Sequence, residues 1–84
     1  MDAASSYQQI TMQFSNSRSY RLSVGAPGLV EVRVQGQWMP MAHLPLAECA
    51  GWTQERFEQY LRYREGLQGQ RVHAWSTCGR STTT

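Results

Sequence analysis

The apolar positions of this chain change period once. From Tyr7 to Met41 they alternate with polar residues, as in a strand with one buried face, and from Trp52 to Leu67 they recur at helical spacing. Ile10, Met12 and Phe14 alternate with Gln9, Thr11 and Gln13 before a serine-rich turn around Asn16. Tyr20, Leu22 and Val24 alternate with Ser19, Arg21 and Ser23 and run into the breaker Gly25-Ala26-Pro27-Gly28. Val30, Val32 and Val34 alternate with Glu31, Arg33 and Gln35, and Gln35-Gly36 turns the chain into Trp38-Met39-Pro40-Met41. The pattern predicts an antiparallel meander of three to four strands over about 7–41, with Pro40 confining the last strand to an edge.

Successive side chains of a strand point to opposite faces, so a slip of one residue would turn every apolar side chain outward. Setting Phe14 opposite Tyr20, Val24 opposite Val30 across a five-residue loop, Val32 opposite Met39 and Val30 opposite Met41 keeps the apolar set on one inner face. The other face then carries Gln9, Thr11, Gln13, Arg21, Ser23, Glu31, Arg33 and Trp38, with Arg21 beside Arg33 and Arg33 beside Trp38.

A short helical turn is expected over 44–50, where Pro45 suits a first helical position and Gly51 ends it. The main helix is expected over about 53–65. Thr53 is its N-cap, Trp52 is placed to staple onto Phe57, and Glu55 sits in the first turn, where the helix dipole favours a negative charge. Phe57, Tyr60, Leu61 and Arg64 share a face, Glu58 and Arg62 pair on the other side, and Gly66 with Leu67 closes the C-terminus. Arg71 to Trp75 reads as one more extended segment. The fold class is therefore α+β, with one main helix covering the inner face of the meander.

Length sharpens this picture. A chain of 84 residues supports one modest core, so the domain is read as 7–76, flanked by a flexible N-terminus (1–6) and a disordered Ser/Thr-rich tail (77–84). No run of about 20 apolar residues is present, and the start MDAASSYQQ lacks the basic and apolar regions of a secretory signal. A cytoplasmic location with no membrane partner is the expectation.

The formal net charge is +2, and every cationic side chain is an arginine: Arg18, Arg21, Arg33, Arg56, Arg62, Arg64, Arg71 and Arg80. Arginine presents a planar fork that binds carboxylates and phosphates and stacks on aromatic rings. Three of these arginines face Asp2 and Glu31 in residues 1–47, and five face Glu48, Glu55, Glu58 and Glu65 in residues 48–84. Each half is near neutral, without the basic stripe that non-specific nucleic-acid binding relies on.

Reactive side chains are sparse. His43, Cys49, His73 and Cys78 are the only imidazoles and thiols, and their spacing lacks the close Cys-x2–4-Cys knuckle of structural zinc sites. His43 and Cys49 are separated by Pro45, and the one aspartate, Asp2, lies in the N-terminal segment, so no oriented nucleophile–base pair is expected. Glu55 and Glu58 belong to the solvated helix face, and Gly25, Gly28 and Gly36 fall in hairpin turns rather than in a phosphate-binding loop. Neither catalysis, a metal nor a cofactor is expected.

Two binding surfaces remain. The run from Leu46 to Leu61 resembles a helix-turn-helix motif: Ala47 is the small residue of the first helix, Gly51 the turn, and Trp52, Phe57 and Tyr60 the apolar anchors. That resemblance implies duplex DNA contacts from Gln54, Arg56, Gln59 and Arg62 across segment 46–62. Pro45 shortens the first helix, and Glu55 and Glu58 would face phosphates. The outer sheet face offers Arg21, Arg33, Trp38, Gln13 and Thr11, with arginine and tryptophan being residue types that concentrate binding energy. The expected function is a small non-enzymatic module that binds a protein partner or a second copy of itself through that face, with DNA regulation through the helical segment as the alternative.

Overall fold

A computed structural model describes residues 8–79. Its elements are β1 (Gln8–Phe14), β2 (Ser19–Val24), β3 (Gly28–Val34), β4 (Gln37–Leu44), α1 (Leu46–Cys49), α2 (Gln54–Glu65) and β5 (Val72–Gly79). The strands form one antiparallel sheet in the order β4-β3-β2-β1-β5. The meander and main helix are as the periodicity predicts. β5 extends the sheet beside β1 and runs on through Thr77 and Cys78 to Gly79, three residues into the segment read as a tail. Residues 1–6 and the tail beyond Gly79 lie outside the described residues.

Alternation places Ile10, Met12, Phe14, Tyr20, Leu22, Val24 and Val30 on the inner face, all buried. They form one core with Leu44, Cys49, Trp52, Phe57, Leu61 and Leu67 from the helical half. Phe14 and Tyr20 meet edge to face at 5.9 Å between centroids, a favoured aromatic geometry. Burial holds the Tyr20 phenol above its ordinary pKa, with Glu65 adding to the rise and Arg18 opposing it.

Two hairpins are tighter than expected. Met12, not Phe14, faces Tyr20, and Leu22, not Val24, faces Val30. In both hairpins the register is displaced by two residues, which leaves every side chain on its face. At the first turn, Asn16 Oδ1 accepts the Arg18 amide at 2.9 Å and Ser17 takes a left-handed φ of 72°, so the chain reverses over fewer residues. At the second, the displacement sets Arg21 opposite Glu31 instead of Arg33. The third hairpin follows expectation at its tip: Gln35 (φ 53°) and Gly36 (φ 80°) form a two-residue turn, and Val32 faces Met39. A bulge between Val30 and Glu31 then sets Val30 opposite Ala42 rather than Met41.

α1 is a single turn with Pro45 at its N-cap position, because Leu44 is still a strand residue. Its Cys49 is fully buried against Gly28 at the start of β3. α2 is capped by Thr53, whose Oγ1 accepts the Arg56 amide at 3.2 Å, and it ends at Gly66 in the left-handed conformation. Phe57 and Leu61 seat it over β1 and β5. The Trp52 ring lies against Tyr60, with centroids 5.4 Å apart.

Arg62 fixes the exit from α2. Its Nε donates to Glu58 Oε2 at 2.9 Å, and its Nη1 donates to the carbonyls of Leu67 and Gln70, each at 2.7 Å. The side chain expected to carry an ordinary surface pair thus ties the helix to the connection that launches β5.

Candidate protein-binding face

The helices bury their apolar residues against the inner face of the sheet, and among the described residues no helix covers the outer face. One cross-strand row runs over all five strands, from Ser76 through Thr11, Arg21 and Glu31 to Pro40. Thr11, Arg21 and Glu31 are half-buried by their neighbours on this face.

The side-chain contacts on this face concentrate on β2, β3 and β4. Register places Arg33 opposite Trp38, as expected. Arg21 donates from both Nε (2.9 Å) and Nη2 (2.7 Å) to Glu31 Oε1, and its guanidinium carbon sits 4.3 Å from the Trp38 ring centroid. Arg33, which is exposed, reaches the same ring at 5.6 Å. A guanidinium over an indole contributes about 0.5–1 kcal/mol at an exposed site. Because Glu31 anchors Arg21, the cation stacked on the half-buried Trp38 indole is itself held in place.

Thr11 and Gln13 lie further along the same face. With Ser19, Ala74, Trp75 and Ser76 they line an open depression of about 250 Å³. The β5 side of this depression was not named from sequence, because the weak alternation of 72–78 gives no sign that the segment pairs with a strand nearly sixty residues earlier. All five residues expected to bind a partner, Arg21, Arg33, Trp38, Gln13 and Thr11, share the outer face, but Arg21 is internally paired with Glu31.

The residues of the helix-turn-helix reading are placed differently. α1 is four residues long, and Ala47 is exposed rather than packed against a second helix. Arg56 lies 4.6 Å over the Trp52 ring, Gln54 is half-buried, Gln59 is exposed, and Arg62 is held by Glu58, Leu67 and Gln70. A second open depression, about 640 Å³, lies beside Tyr60, Tyr63, Arg64 and Glu65. The Tyr60 hydroxyl is buried there without a well-formed hydrogen bond among the described residues. Burial raises its pKa above the usual tyrosine value, the neighbouring Arg64 guanidinium pulls it back, and Glu65 and Glu48 add to the rise.

Cys49 lies under β3, His43 is on β4, and His73 and Cys78 are on β5 at the opposite edge. Among the described residues, no group of three or more His, Cys, Asp or Glu side chains is positioned to hold a metal ion. No described helix is long and apolar enough to cross a membrane. No protein-family model matches the chain, and no curated protein or solved structure matches it significantly.

Proposed function

We propose that this protein is a non-catalytic binding module that engages a protein partner through the outer face of its sheet, with Trp38 as the anchor. The observation carrying this reading is the Trp38 ring held by Arg21 and overlain by Arg33 on a face that the fold's helices do not cover. Immobilised aromatic and arginine side chains lose little conformational entropy on association, so more of their contact energy is retained as affinity. Arg33 contributes the exposed guanidinium, and Thr11 and Gln13 supply hydroxyl and amide groups for the polar rim.

Duplex DNA binding through α2 is the weaker reading. Arg56 and Gln59 are the exposed residues it would use, while Arg62 is committed internally and Glu55 in the first turn would repel phosphates. Affinity capture with nuclease-treated extracts separates the two. Under the proposed function, captured proteins survive nuclease and moderate salt, and Trp38→Ala and Arg33→Ala remove them without changing the circular dichroism spectrum. Capture unaffected by those two substitutions, but lost with nuclease, with salt or with Arg56→Ala and Gln59→Ala, would transfer the function to α2.

A further inference from the structure

The two edges of the sheet are protected very differently. Natural edge strands are kept from pairing by Pro, charged side chains or bulges. β4 has two such devices, Pro40 and the bulge opposite Val30 and Glu31. β5 reads Val-His-Ala-Trp-Ser-Thr-Cys-Gly, with no Pro, Asp, Glu, Lys or Arg. A register shift near its start, at Gln13 and Phe14 of β1, leaves Ala74 to Gly79 as a regular run. Every residue from His73 to Cys78 is exposed, and Trp75, paired with Met12 and bordering the depression beside Thr11 and Gln13, is 52% exposed. β5 pairs with β1 on one side, and the main-chain groups on its other side meet no strand among the described residues.

We propose that the β5 edge pairs antiparallel with the β5 edge of a second copy of this chain, joining the two sheets about a two-fold axis. A second copy suits this edge because it brings a strand of equal length with no formal charge to oppose, and because a small chain gains buried area by association. Cross-strand partners in an antiparallel ladder share a face. Keeping both helix layers on the same side of the joined sheet therefore requires residues of equal parity to pair. Centring the axis on Ser76 meets this condition and uses nearly all of the regular run. Trp75 then faces Thr77 of the second copy, Ala74 faces Cys78 of the second copy, and the two Trp75 residues become diagonal neighbours with backbones about 7–8 Å apart, a spacing aromatic side chains can span.

Light scattering on purified protein across a wide concentration range reads the outcome directly, with hydrogen exchange of β5 amides recorded alongside. The expected result is twice the mass of one chain, with β5 amides gaining protection as concentration rises. Ser76→Lys sets two cations face to face at the axis and should give a monomer with an unchanged circular dichroism spectrum. Ser76→Cys in a Cys78→Ser background should oxidise to a disulfide-linked dimer, a result independent of whether the lysine variant folds. Trp38→Ala should leave the dimer intact, which separates this edge from the outer-face site. A monomer at all concentrations, a dimer that survives Ser76→Lys, or a Ser76→Cys variant that does not cross-link would overturn the proposal.

Discussion

Substituting Gly28 by alanine measures how closely α1 is seated on the sheet. A Cβ at this position would stand 2.6 Å from Cys49 Sγ, with the carbonyl oxygens of Leu44 and Ser23 at 3.4 Å. Relaxed heavy-atom contacts lie near 3.5–4.0 Å, so the sulfur is the main obstacle and the carbonyls are marginal. The Gly28 backbone is outside the left-handed region, so the substitution adds a steric term and no conformational one. Cys49 is short and fully buried, and relief requires α1 to lift from β3. Such overpacking costs about 1–3 kcal/mol. For a domain of this size that lowers Tm by about 4–8 °C per kcal/mol. Cys49→Ala alone removes one buried heavy atom and should cost about 1 kcal/mol. In the double variant the new methyl group occupies the space the sulfur has left. Urea unfolding monitored by tryptophan fluorescence should then show the pair more stable than the sum of the singles by about 1–2 kcal/mol. Additivity within about 0.5 kcal/mol, or a Gly28→Ala protein as stable as the parent, would refute the close approach.

Two further outcomes follow from the same geometry. Arg62→Met keeps the aliphatic stem but removes the charged hydrogen bonds to Glu58, Leu67 and Gln70; denaturant unfolding should show a loss of about 1–3 kcal/mol, and Arg62→Lys should restore only part of it because an ammonium lacks the fork. Tyr20 and Tyr60 are both held above the ordinary tyrosine pKa of 10.0, chiefly by burial, so their neutral forms are favoured in the folded state. The stability they contribute is complete below that value and is lost as pH rises through their folded pKa values. The unfolding free energy should fall above pH 10 as the phenolate absorbance of these tyrosines rises, and a flat stability profile through that ionisation would contradict the assignment.

How much of the fold was legible depends on what each signal can resolve. The alternation from Ile10 to Met39 identified the inner face, though not the bulge that replaces Met41 by Ala42 opposite Val30, and Thr53, Gly66 and Leu67 marked the ends of α2, because caps and burial act over a few neighbouring positions. The pattern did not resolve the register of the first two hairpins. A shift of two residues preserves both faces, so hydrophobicity is indifferent to it, and the compact turns around Ser17 and Pro27 decided the matter. That shift altered the candidate site: Arg21, expected beside Arg33, is instead clamped by Glu31 and stacked on Trp38. Arg62, read as one half of a surface pair, proved to be the brace of the α2–β5 connection, since its carbonyl acceptors come into position only when the chain turns after Gly66.

By itself, then, the sequence determined which residues face inward, where the main helix starts and stops, and that Trp38 and Arg33 are neighbours across a tight turn. All of these are set by short-range period and turn chemistry. The tertiary structure alone decided that Val72–Gly79 becomes a fifth strand beside β1, that this strand without Pro or formal charge forms the sheet edge opposite β4, and that Cys49 closes down on Gly28. Each of these joins segments far apart in the chain, and their complementarity is one of shape and main-chain hydrogen bonding, which leaves almost no trace in the order of side chains.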